Sequence, residues 1–117
     1  MAETDLYAPT KRYLESQGYA VKGEIGRCDV VAVRGDEPPV IVELKQSFSL
    51  KLILQGIDRQ AMSDAVYIAI PAAAHKTGRD IHALCKRLGL GVITVHRGVA
   101  QAELDPAPYQ PRKNKKR

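Results

Sequence analysis

A chain of 117 residues, 44% of them hydrophobic, carries enough apolar side chain for one domain with a buried core. Trp is absent and aromatics make up only 5%, so aliphatic residues must fill that core. No apolar run approaches the roughly 20 residues of a membrane span.

The opening MAETDLYAP is acidic and lacks the basic and apolar regions of a secretory signal. The expected compartment is the cytoplasm, where Cys28 and Cys85 read as reduced thiols too far apart for a zinc pattern. The net charge of +5 is unevenly placed. The tail PRKNKKR holds Arg112, Lys113, Lys115, Lys116 and Arg117, and removing those five leaves 13 basic and 13 acidic residues. The body is therefore neutral on paper, and the basic tail is the candidate contact for a polyanion by counterion release.

In chain order, residues 3–17 read as a helix, with Leu6, Tyr7, Thr10, Tyr13 and Leu14 recurring at helical spacing and Gly18 closing it. YAVKGEI and RCDVVAVR are the first two strands, GDEPP is a turn, and VIVELKQ is the third strand. Residues 48–63 are helical in period, with Ser47 or Ser49 as N-cap. AVYIAI is a fourth strand, residues 75–89 a helix closed by Gly89, and GVITVHR a fifth strand. From Gly98 onward the periodicity fades. Residues 1–98 are thus expected to form the domain, and 99–117 a linker and basic disordered tail. The order α-β-β-β-α-β-α-β predicts an α/β fold, a mixed sheet flanked by helices.

The third strand poses a problem. Glu43 and Lys45 are charged and two apart, so they share one face of an otherwise aliphatic strand. Asp29 and Glu43 are equidistant from Asp36, so a symmetric hairpin sets the two carboxylates opposite each other. Asp29, Val31 and Val33 then share a face with Ile41, Glu43 and Lys45. Cys28, Val30, Ala32, Val40, Val42 and Leu44 make the other. Facing like charges are destabilising, and burial makes them more so. Either Lys45 offsets them, leaving one net negative charge, or a divalent cation does. Mg²⁺ prefers hard oxygen ligands and is commonly held by one or two carboxylates with waters. Such a metal serves phosphoryl chemistry by acidifying a water and stabilising charge on the phosphate oxygens.

The pattern of Asp29 on one strand and Glu43-Leu44-Lys45 on the next, after a helix, resembles the PD-(D/E)XK nuclease superfamily. The segments ETDLYAPTKRYLESQGY, DVVAVRGDEPPVIVELK and DRQAMSDAVYIAIP resemble an uncharacterised bacterial family of predicted PD-(D/E)XK-type phosphodiesterases. The resemblance covers most of residues 3–97 and implies a restriction-endonuclease-like core. By the same resemblance, Asp29, Glu43 and the Leu44 carbonyl hold Mg²⁺ or Mn²⁺. Lys45 positions the attacking water, and Glu3 is the additional carboxylate from the first helix. Gln55 and Arg59, four apart on the second helix, are the residues set to meet a phosphate. The implied activity is a metal-dependent phosphodiesterase acting on nucleic acid, foremost a DNA endonuclease, with a homodimer as one way to cut both strands. The alternative, of another class, is a non-catalytic nucleic-acid-binding module that keeps a nuclease-like fold.

Overall fold

A computed structural model describes residues 4–26, 28–72 and 78–107. Along them run α1 (Thr4–Ser16), β1 (Ala20–Ile25), β2 (Cys28–Val33), β3 (Val40–Leu44), α2 (Leu50–Arg59), β4 (Ala65–Pro71), α3 (Gly78–Leu88), β5 (Gly91–His96) and β6 (Val99–Leu104). In α1 the buried positions include those that helical spacing selects, Leu6, Thr10 and Leu14, along with Pro9, and Tyr7 and Tyr13 are half-buried beside them. Pro9 sits inside this helix, where its ring removes one backbone donor without ending the turn sequence.

Among the described residues, two of the three helices, α1 and α3, stop at a glycine. At Gly18, with φ 91°, the Tyr19 amide donates to the Leu14 carbonyl at 3.1 Å and the Gly18 amide to Glu15 at 3.0 Å. This is the Schellman closure that a left-handed residue permits, and it folds Tyr19 back onto the core beside Leu14. α3 closes in the same way at Gly89, where the Leu90 amide donates to the Cys85 carbonyl at 2.9 Å. At the start of α2, the hydroxyl of Ser49 accepts the Leu52 amide at 3.1 Å, which identifies the N-cap. The regular helix ends at Arg59, short of the expected 63; residues 60–62 turn the chain toward β4.

The six strands form one mixed sheet in sequential order, β1-β2-β3-β4-β5-β6. β3, β4 and β5 are parallel neighbours, and the other pairings are antiparallel. The parallel pairs are joined through α2 and α3. Both helices bury side chains in one core, with Leu52, Ile53, Ile81 and Cys85 against Ile41, Ile68 and Val92. Two crossovers of the same hand, each laying its strand beside the last, put their helices on one face. α1 covers the other face through Leu6 and Leu14 against Val30, Val42, Ala69 and Ile93. The central strands are therefore covered on both sides, which explains why VIVEL, AVYIAIP and GVITVH are nearly unbroken apolar runs.

One expectation fails. Residues 99–104 are not linker but β6, paired antiparallel with β5 from His96↔Val99 to Val92↔Leu104. Arg97 and Gly98 take φ of 50° and 78°, the left-handed pair that a two-residue hairpin turn requires. β6 is an edge strand that turns the small Ala100 and Ala102 to one core and only its last residue, Leu104, to the other, so its period carries little hydrophobic contrast. The domain therefore extends past residue 98, and residues 108–117 lie outside the described residues.

Candidate functional site

The β2–β3 hairpin is symmetric about Asp36, with Val30↔Val42, Val31↔Ile41 and Ala32↔Val40 in register. The same register carries Asp29 opposite Glu43. There the side chains take over from the backbone ladder. The Asp29 amide donates to Glu43 Oε2 at 3.2 Å, and the Leu44 amide donates to Asp29 Oδ2 at 2.9 Å. Each carboxylate thus accepts an N–H from the other's strand. The two acids close the end of the hairpin with hydrogen bonds that regular pairing would have supplied through the backbone.

The predicted faces hold for most of the hairpin. Val31 and Ile41 pack on the side of α2 and α3, while Val30, Ala32, Val40, Val42 and Leu44 pack on the side of α1. Cys28 departs from its expected face and joins Ile41, with its Sγ 4.0 Å from Met62 Sδ. The alternation breaks where β2 turns its Asp29 amide and carboxylate toward β3.

β3 is flanked by β2 and β4 and covered above and below, so Glu43 is 2% exposed. A charged carboxylate in that position needs a partner. The structure supplies one that the sequence reading did not assign. Nη2 of Arg59, from α2, lies 3.5 Å from Glu43 Oε1, and its Nη1 is 2.8 Å from Asp58 Oδ2. Arg59 is itself only 6% exposed. It is turned inward to Glu43 while its other terminal nitrogen meets the exposed Asp58. The signal was present, because Leu52, Gly56 and Arg59 recur at i, i+4 and i+7 and are all buried. Burial pushes the Glu43 carboxyl above the usual carboxylate range, and the Asp29 carboxylate adds to the rise. The Asp29 amide and the Arg59 guanidinium act against it.

Lys45 follows directly after β3. It is half-buried, and its amide donates to the Ala69 carbonyl at 3.0 Å. Strand alternation sets it on the Glu43 face. Gln55 is half-buried one turn before Arg59, and its Oε1 is buried without a hydrogen-bond partner among the described residues. Gln46 Nε2 is in the same condition. A buried amide atom left dry costs about 1–3 kcal/mol, so both atoms are suited to meet water or a polar ligand. Glu3 and the basic residues Arg112, Lys113, Lys115, Lys116 and Arg117 lie outside the described residues.

As a donor set, Asp29 and Glu43 supply hard oxygens from two adjacent strands. Asp29 Oδ1 makes no hydrogen bond among the described residues. The N–H and C=O of one residue leave an extended strand on the same side. The Leu44 carbonyl is therefore directed, like its amide, toward the β2 side where Asp29 stands. This chemistry fits Mg²⁺ or Mn²⁺. Among the described residues, no cluster of three or more His, Cys, Asp or Glu side chains gathers, so those residues offer two side-chain ligands there, Asp29 and Glu43. No protein-family model matches the chain, and no match was found among curated proteins or solved structures.

Proposed function

We propose that this chain is a metal-dependent phosphodiesterase acting on nucleic acid, foremost a DNA endonuclease, built on a PD-(D/E)XK, restriction-endonuclease-like core. The observation that carries this reading is the reciprocal bonding of Asp29 and Glu43 at the end of the β2–β3 hairpin. A regular sheet would make those hydrogen bonds through its backbone and has no need of two acids there. A cation site requires two hard anions held in a fixed relation on rigid strands.

In this reading Asp29, Glu43 and the Leu44 carbonyl hold Mg²⁺ or Mn²⁺. When bound, the ion supplies an acidified water and stabilises charge on the phosphate oxygens. Lys45, two residues from Glu43 on the same face, orients that water and neutralises developing charge. Gln55 presents a polar atom to the hydrated ligand, and Glu3 provides a further carboxylate. The basic tail raises the encounter rate with the nucleic acid.

The test is cleavage of plasmid and oligonucleotide DNA and RNA with Mg²⁺ or Mn²⁺, comparing the wild type with Glu43→Gln and Asp29→Asn. Activity should vanish in both variants while far-UV circular dichroism stays native. Equal cleavage by wild type and variants ends the assignment. A second reading, the non-catalytic nucleic-acid-binding module, draws on Arg59, which already neutralises Glu43 as a structural ion pair does. It predicts DNA binding without cleavage and no cation binding that depends on Asp29.

A further inference from the structure

Glu43 has two oxygens, and each is engaged. Oε2 already accepts the Asp29 amide at 3.2 Å, so Oε1 is the oxygen with more lone-pair room for a cation. That is the oxygen Arg59 faces at 3.5 Å. The two cations compete for one atom inside a site where Glu43 and Arg59 are 2% and 6% exposed. Charges in so dry a setting repel strongly. The Glu43–Arg59 contact is also loose: a charge-assisted N–H···O bond is about 2.7–2.9 Å long, a distance the guanidinium reaches to Asp58, at 2.8 Å, but not to Glu43. Asp58 is 61% exposed by its side chain and gives Arg59 an anchor toward solvent.

We propose that Arg59 is the resident counter-cation of the Asp29–Glu43 site, and that a divalent cation binds there in exchange for it. The inference rests on the proposed metal-binding role of the two acids and adds its regulation. Without the ion, Arg59 keeps a buried carboxylate neutralised and the site shut. With it, the guanidinium swings toward Asp58 and offers its forked donors to a phosphate oxygen. Metal binding and phosphate binding are then coupled through one side chain.

The experiment is calorimetric titration of chelator-treated protein with Mn²⁺, using the wild type, Arg59→Gln, Arg59→Lys and Asp29→Asn. Removing the competing charge should tighten Mn²⁺ binding about tenfold in Arg59→Gln, within the usual scale of site-to-site coupling. Arg59→Lys keeps the charge and should bind close to wild type. A merely structural ion pair predicts the reverse, with affinity unchanged or weaker in Arg59→Gln because Glu43 loses its support, and that result overturns the exchange. A wild-type site that still depends on Asp29 would then leave the metal-binding reading standing. Absence of Asp29-dependent binding in every protein, including Arg59→Gln, overturns both. A readout independent of variant folding is the Arg59 Nε–H resonance of the wild type during Mg²⁺ titration. It should shift with saturation, and a resonance that stays fixed while Mg²⁺ binds refutes displacement.

Discussion

Replacing Arg59 by Met removes the cation and keeps most of the apolar stem, leaving Glu43 charged and buried. Breaking a buried pair by deleting one partner costs about 3–5 kcal/mol. The lower end applies here, because the contact is 3.5 Å long and Glu43 retains the Asp29 amide. A loss of about 3 kcal/mol, with a urea slope near 2 kcal/mol/M, lowers the midpoint by roughly 1.5 M. Urea melts at pH 7 in chelator, followed by circular dichroism, give the number. Adding Glu43→Gln removes the stranded charge, so the double variant should return to within about 1 kcal/mol of wild type. The pH dependence has a definite sign. Burial holds the Glu43 carboxyl above its unfolded value, so its favourable contribution is complete below the unfolded pKa and is lost as pH rises through the folded one. Removing Arg59 raises the carboxyl further. The deficit of Arg59→Met should therefore be largest near neutrality and shrink on acidification. A cost below about 0.5 kcal/mol at pH 7, or strict additivity of the two substitutions, refutes the buried-pair reasoning.

Three further outcomes are expected. Cys85 is fully buried and its thiol is pushed up to about 11, while burial also raises Cys28, so neither should react with a disulfide reagent at pH 8 until urea unfolds the chain. At Gly91 an added Cβ falls 2.5 Å from Tyr67 Cδ2 and 2.8 Å from Pro106 Cδ, and the Tyr67 hydroxyl is held by Asp105 at 3.0 Å. Gly91→Ala should thus lose about 1–3 kcal/mol in a denaturant melt, and a neutral result would show that the ring can retreat. Ending the chain at Gly98 deletes β6 and with it the buried Ala100, the pairing of β5 from Val92 to His96, and the Glu103 carboxylate that Thr94 Oγ1 reaches at 3.1 Å. That truncation should melt well below the full chain or fail to fold; an unchanged melting temperature would restore 1–98 as the domain.

The fold was legible wherever a local signal had one physical cause. Gly18 and Gly89 mark helix ends because only a residue without Cβ readily takes the left-handed closure. Ser49 marks a helix start through its hydroxyl. The apolar runs of β3, β4 and β5 announce strands buried on both faces. The placement of Asp36 between Asp29 and Glu43 predicted the hairpin register, because side chains in strands repeat every two residues and a turn has a centre. β6 escaped detection because this edge strand faces the core mainly with alanines, Leu104 coming only at its end, and alanines separate poorly from a polar linker by hydrophobicity alone.

Sequence alone determined which residues could be neighbours through the chain: helix, hairpin, and two acids facing across it. Tertiary structure decided what neutralises them. Arg59 is 16 positions from Glu43 and reaches it because α2 crosses back over β3 as the chain passes to β4; the helical period can turn Arg59 inward, but packing sets which residue it meets. Lys45 and a metal were the partners that sequence suggested; three-dimensional packing added a buried guanidinium.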